Sequence, residues 1–250
     1  MRMPVALALM LVATSASAQL TQRDLAGAVA RPAPGVRLPE ALPLFDLAGR
    51  RTTLPQVADG KPLVLIFADF TCKHLCGPGL VLTAGALHDS GRVAGQDYRL
   101  AIVGLDPKDD VAAARHYVEP LGSLPDVART TAVLRGTPPA VAALTRALGY
   151  GYAYDAGSDQ YAHDASIYVF AGDGRLAALL PEMALTPAML RGALSGAAPP
   201  VSLGARVAHL CYGLSALTGR FDQPVVRMLQ LLTALALLVG GAVLLKRKRA

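Results

Sequence analysis

Cys72 and Cys76 stand four residues apart in a chain with only three cysteines, just after an unbroken apolar run, Pro62 to Ala68. If a helix begins at or before Cys72, residues i and i+4 share a face, with Cβ atoms roughly 5–6 Å apart. Both sulfurs can then address one metal ion, or close a disulfide after a small backbone shift. A helix N-terminus also favours the thiolate, the form that attacks disulfides and binds metals. The plain alternative is a stabilising disulfide. It would close a very short loop and constrain the unfolded chain little.

Two thiolates rarely complete a soft-metal site, so a third ligand is expected. His163, in Gln160-Tyr161-Ala162-His163, precedes an apolar strand on a segment expected to be a loop in reach of the cysteine helix. Two sulfurs with one imidazole suit copper in either oxidation state; a surface-loop histidine with no ligand role is the alternative. His74, between the cysteines, is a possible extra ligand or a modulator of the thiols, although on a helix it points away from their face. His88 and His116 read as helix-surface residues. Asp106, where a central strand ends, either supports a ligand by hydrogen bonding or simply forms an Asp-Pro turn. Cys211 is a free thiol, an intermolecular disulfide partner or an auxiliary ligand, and the sequence does not choose.

The elements that must position these residues read as a mixed α/β pattern. Residues 19–40 contain Pro32, Pro34, Gly35 and Pro39 and predict a flexible, poorly structured lead-in. Leu42 to Leu54 predicts a hairpin turning near Ala48-Gly49-Arg50. Pro62 to Ala68 fits a strand buried on both faces, as in a parallel sheet covered by helices. Tyr98 to Leu105 predicts a second central strand, Asp109 to Val118 a helix, Thr131 to Leu134 a strand and Pro138 to Leu148 a helix stopped by Gly149. Ser166 to Phe170 and Arg175 to Leu180 predict a hairpin around Gly172-Asp173-Gly174. Thr186 to Leu194 predicts a last helix, with Thr186 as cap and Pro187 in its first turn. A reactive cysteine pair where the first central strand feeds its helix is the placement a thioredoxin-like fold provides.

Hydrophobic residues make up 53% of the 250, an excess that the two ends account for. Residues 1–18 have a basic start, a short apolar run and Ala16-Ser17-Ala18, the pattern of a cleavable signal peptide. Met228 to Leu245 is free of formal charge and, as a helix, would reach about 27 Å, close to a bilayer's hydrocarbon core. The expected organisation is therefore 1–18 signal peptide, 19–40 lead-in, 41–196 thioredoxin-like domain, 197–224 linker, 225–245 transmembrane helix and 246–250 basic cytoplasmic tail. By the positive-inside rule, Lys246 to Arg249 stay in the cytoplasm. The protein is thus expected in the inner membrane, single-pass, with its main domain in the periplasm. Most of the net charge of +6 sits in that tail, so no basic face for nucleic acid is expected.

With these segments in place, the chain resembles the Sco/SenC family of copper-handling proteins. The resemblance runs from about Leu42 to Leu194. It is carried by Pro62 to Phe67 leading into Cys72-Lys-His-Leu-Cys76, by Leu100 to Pro107, by Leu144 to Gly149 ahead of Tyr152 and Tyr154, and by Gln160 to His163. Cys211-Tyr212 and Thr218-Gly219-Arg220 are similar to a subgroup with a C-terminal membrane anchor. The family resemblance implies a thioredoxin-like fold and a copper site of Cys72, Cys76 and His163. It also implies delivery of copper to, or thiol reduction in, a copper-receiving oxidase subunit, in cytochrome c oxidase assembly. The family commonly has proline after its cysteines, where Lys73 and Gly77 stand here; a lysine there favours thiolates and opposes a bound cation. A metallochaperone is the first functional expectation. The alternative is a thiol–disulfide oxidoreductase working through the Cys72/Cys76 pair. A peroxide-reducing enzyme is a weaker third reading, since no arginine and threonine constellation accompanies a single cysteine.

Overall fold

The computed structural model describes residues 20–72 and 76–196, apart from the side chains of Gln22 and Cys76. The expected signal peptide, linker, transmembrane helix and basic tail, with Lys73, His74 and Cys211, lie outside the described residues. Among those described, no helix is long and apolar enough to cross a membrane.

The lead-in carries more structure than its prolines suggested. Helix α1 (Gln22–Gly27) starts with a capping box in which Thr21 and Asp24 satisfy each other's backbone donors. Strands β1 (Leu44–Asp46) and β2 (Arg51–Thr52) form the expected hairpin. Gly49 takes φ +77° in its turn, while Asp46 Oδ1 accepts from Ala48 and Arg50 N–H, both at 2.9 Å. Helix α2 (Leu54–Ala58), unforeseen in the sequence, is a second capping box, built from Thr53 and Gln56.

Strand β3 (Leu63–Ala68) leads to α3 (Cys76–His88), and β4 (Arg99–Gly104) to α4 (Val111–Val118), capped by Asp110. A short 3-10 turn and α5 (Pro125–Ala128) connect to β5 (Thr131–Arg135). Helix α6 (Pro138–Ala147) follows, with Gly149 at φ +64° just beyond it. Strands β6 (Tyr152–Asp155) and β7 (Gln160–His163) form a separate two-stranded ribbon. Strands β8 (Ser166–Phe170) and β9 (Leu176–Pro181) and helix α7 (Pro187–Leu194), capped by Thr186, end the described chain.

The main sheet runs β2-β1-β5-β4-β3-β8-β9. Strands β3, β4 and β5 are parallel, whereas β1 and β8 pair antiparallel on either side of them. All six residues of β3 are buried, and period two explains why. Val64, Ile66 and Ala68 enter one apolar cluster, with Leu80 and Leu87 of α3, Ala114 of α4 and Leu190 of α7. Leu63, Leu65 and Phe67 enter the other, with Leu54 of α2 and Val141 and Leu144 of α6. Each cluster is a layer between sheet and helices, as the unbroken apolar run implied. The expected thioredoxin-like α/β architecture is present, with a central sheet and flanking helices.

Candidate functional site

Adjacent parallel strands β3 and β4 end on the same edge, where open α/β sheets place their sites. Beyond β3 come Asp69, Phe70, Thr71 and Cys72; beyond β4 come Leu105, Asp106, Pro107, Lys108 and Asp109. Phe70 joins the two ends. Its ring lies so close to Gly104 that a Cβ there would sit 2.8 Å from it, and it packs on Tyr117 with centroids 5.3 Å apart. Gly104 is therefore a packing requirement rather than a turn.

Cys72 is half-buried against the α3 side of the core. Its N–H donates to the Asp69 carbonyl at 3.1 Å, so the thiol sits on a tight turn at the strand end. The condition for two sulfurs on one helical face is not met: Cys72 precedes the helix, and α3 is described from Cys76 onward. Cys72 lies on the turn that leaves β3, and Cys76 belongs to α3.

His163 is the last residue of β7, on a strand rather than the expected loop. Its placement depends on Tyr150, buried between Phe67 and Tyr168 with ring centroids at 4.4 and 6.1 Å. The Tyr150 hydroxyl donates to the Asp164 carbonyl at 2.7 Å. That same carbonyl accepts from His163 Nδ1 at 3.0 Å, and Nδ1 also lies 2.7 Å from the Tyr150 oxygen. A carbonyl can only accept and the hydroxyl proton is already used, so the imidazole proton belongs on Nδ1. The ring lone pair is then on Nε2, the arrangement a metal-binding histidine needs. Tyr150 was not foreseen; an aromatic residue just after the helix-stopping Gly149 was its only sequence signal.

A group of buried carboxylates lies beneath. Asp69, Asp106 and Asp109 bring ligand-type oxygens within 4.8 Å of one another. Asp106 accepts from Lys108 N–H at 2.8 Å, so the expected Asp-Pro turn is real, and it also belongs to this group. Asp109 accepts from Phe70 N–H at 2.8 Å, while its Oδ1 is buried with no partner among the described residues. Burial first, then the Asp69 and Asp106 charges, push the Asp109 carboxyl up to about 6. Asp69 is fully buried; from the sequence Asp109 reads only as a helix start and Asp69 has no role, its one signal being a charge ending an otherwise apolar strand.

Glu182 is a second buried acid. Its carboxyl packs on Gly79 in the first turns of α3, so closely that a Cβ there would lie 2.6 Å away. Thr83 donates to it at a long 3.5 Å, and burial pushes the Glu182 carboxyl up to about 7. His88 and His116 lie exposed on their helices against Asp126 and Glu119, as expected.

The β6–β7 ribbon reaches this edge through polar contacts. Tyr161 N–H donates to Asp69 Oδ2 at 2.8 Å, and Gln160 Nε2 to the Thr71 carbonyl at 3.4 Å. Lys108 pairs with Asp159 and lies over the Tyr154 ring, 5.0 Å from its centroid. The Asp159 carboxylate holds the Lys108 ammonium above its usual range.

A cysteine on the turn after a central parallel strand, in a sheet flanked by helices, defines a thioredoxin-like fold; Cys72 sits on that turn and His163 on the neighbouring ribbon. The chain belongs to the SCO1/SenC family, whose pattern it matches over residues 40–195. Among solved structures it is similar to a putative electron transfer protein from Aquifex aeolicus (17% identity, TM-score 0.58, covering 66% of this chain and 94% of that one). It is also similar to ScoI from Arabidopsis thaliana with copper bound (20%, 0.52, 66% and 98%). A third likeness is to BsSco, a Sco protein described with a disulfide switch (16%, 0.53, 67% and 96%). No curated protein matches the chain. At these identities the likeness to solved structures concerns the fold.

Proposed function

We propose that this protein is a copper chaperone that holds copper through Cys72, Cys76 and His163 and passes it to an oxidase subunit during respiratory oxidase assembly. The observation that carries the reading is the fixing of the His163 proton on Nδ1 by Tyr150 and the Asp164 carbonyl. A histidine with no ligand role does not need its tautomer set by a buried tyrosine and a half-buried carbonyl. Family membership supports the same reading, as does the copper in the similar Arabidopsis ScoI structure. The two thiolates and the imidazole would supply soft and borderline donors, and ligand exchange with a partner would release the ion. Copper is cargo here, so the protein is a metallochaperone rather than an enzyme.

The setting is the periplasmic face of the inner membrane. Residues 1–18 act as the export signal, 19–40 as lead-in, 41–196 as the working domain and 197–224 as linker, with 225–245 as single-pass anchor and 246–250 as cytoplasmic tail, as in the anchored subgroup. His74 and Asp106 support the site without binding the ion.

One observation favours a second reading. Cys72 lies on the turn after β3 and Cys76 belongs to α3, and the N-terminal end of a helix favours thiolates. One thiolate would attack a partner disulfide and the other would resolve it, leaving a Cys72–Cys76 disulfide and a partner with two thiols. Copper binding by the purified, reduced full chain, wild type against His163→Ala, separates the two. Stoichiometric binding that the substitution weakens severely supports the chaperone. No binding by wild type, with the pair still exchanging with a test disulfide, supports the oxidoreductase.

A further inference from the structure

We infer that Asp69 is a positioning residue: a single buried carboxylate that clamps the Cys72 turn to the His163 ribbon and so fixes the approach of thiol to imidazole. The inference rests on the copper reading above and concerns how this chain assembles that site. Asp69 is completely buried. Its Oδ1 accepts from Thr71 N–H at 3.0 Å and from the Thr71 hydroxyl at 2.9 Å, and its main-chain carbonyl accepts from Cys72 N–H at 3.1 Å. The cysteine turn is thus wound around this one residue. Its Oδ2 accepts from Tyr161 N–H at 2.8 Å, two residues before His163 on the same strand. Among the described residues the ribbon shares no strand ladder with the main sheet, and this bond is a short main-chain tie from the His163 strand to the cysteine turn. Gln160 adds a longer one to the Thr71 carbonyl.

The carboxylate is suited to this because both its oxygens accept. An asparagine of the same size offers one acceptor and one donor. Thr71 presents two donors and Tyr161 only one, so the amide oxygen should turn to Thr71. The amide NH₂ then meets Tyr161 N–H, donor against donor. Asp69→Asn is therefore expected to keep the cysteine turn and release the ribbon.

The test is a double-mutant cycle on Cu(I) affinity, measured on the purified, reduced full chain by competition with a chromophoric chelator. Asp69→Asn should weaken binding roughly 10- to 100-fold with His163 present, the usual cost of losing a residue that orients a ligand. In the His163→Ala background the same change should cost less than about threefold, because there is no imidazole left to misplace. Equal losses in both backgrounds, which a general folding defect would give, overturn the inference, as does no loss in either. Amide hydrogen exchange on the copper-free protein decides independently. Tyr161 should be protected in wild type and exchange roughly tenfold faster or more in Asp69→Asn, with β3 unchanged. If Asp69→Asn does not fold, wild type still answers: a Tyr161 amide exchanging as fast as those of Ala156 and Ser158 at the ribbon tip overturns the clamp. If wild type fails to bind copper, the chaperone reading falls, and the exchange result alone settles Asp69.

Discussion

The seven-stranded sheet and the β6–β7 ribbon are held by different forces. In the sheet, β3 buries every residue between two helical layers, so apolar area removed from water dominates. In the ribbon, no residue but Gln160 is fully buried; Tyr152 and Tyr161 pack on the edge of one apolar cluster, and the other described ties are hydrogen bonds, one ion pair and tilted tyrosine contacts, with Tyr152 and Tyr154 5.6 and 5.2 Å from Tyr161 between centroids. The sheet supplies the thiol and the ribbon supplies the imidazole. A site divided in this way couples a part that cannot move without unfolding to a part that can loosen by itself.

The sharpest way to break that contrast is in the sheet. Ile66→Ala should cost about 2–5 kcal/mol, with β3 and α3 losing protection together in denaturant unfolding followed by hydrogen exchange. A loss confined to one strand would mean the sheet is not the single unit described.

Next in size is the pH response of the α3 side. Glu182 has a folded pKa of about 7 against an ordinary 4.5, so the folded state holds a proton that the unfolded state gives up in that window. Stability should therefore fall as pH rises from about 4.5 to about 7, by about 3 kcal/mol, and level off above. Asp109 adds in the same direction between its ordinary 3.8 and about 6. Thermal unfolding of Glu182→Gln across pH should show a flatter profile than wild type; an unchanged slope would refute the assignment.

At the join between the two regions, Tyr150→Phe removes a hydroxyl bonded to the Asp164 carbonyl and to His163. The expected cost is about 1 kcal/mol of stability, while the His163 proton stays on Nδ1 against the Asp164 carbonyl, read by nitrogen chemical shifts of the imidazole; a move of the proton to Nε2 would refute the carbonyl as the group that sets the tautomer. The smallest effect belongs to the ribbon's outer clasp. Lys108→Met should change global stability by less than about 1 kcal/mol, since Lys108 and Asp159 are both exposed, yet speed exchange in β6 and β7.

The same contrast decides what was legible in the sequence. The sheet was readable because unbroken runs such as Leu63–Ala68 and cap signals such as Thr186-Pro187 are local. Leu42–Leu54, Tyr98–Leu105 and Pro138–Leu148 yielded their elements for the same reason, with ends shifted by a few residues. The ribbon was missed: Tyr152–Asp155 and Gln160–His163 have little hydrophobic alternation, and their pairing becomes stable only against Asp69, Lys108 and Tyr150, which lie elsewhere in the chain. So His163 was picked out as a residue but placed on a loop. The condition of a helix reaching back to Cys72 was not met, because Cys72 lies on a turn wound by Asp69, whose carboxylate holds Thr71. Short helices such as Leu54–Ala58 depend on a capping box that only a residue-by-residue check would find.

The bond from Tyr161 to Asp69 joins residues 92 positions apart. Closing so long a loop is paid for before its contacts reward it, which puts such joins late in folding. Thiol and imidazole should therefore meet only after the sheet between them is complete. A half-folded chain would offer a thiol and an imidazole apart, each alone a poor trap for a metal ion. On the proposed chaperone reading, acquisition of copper then becomes a report that folding has finished.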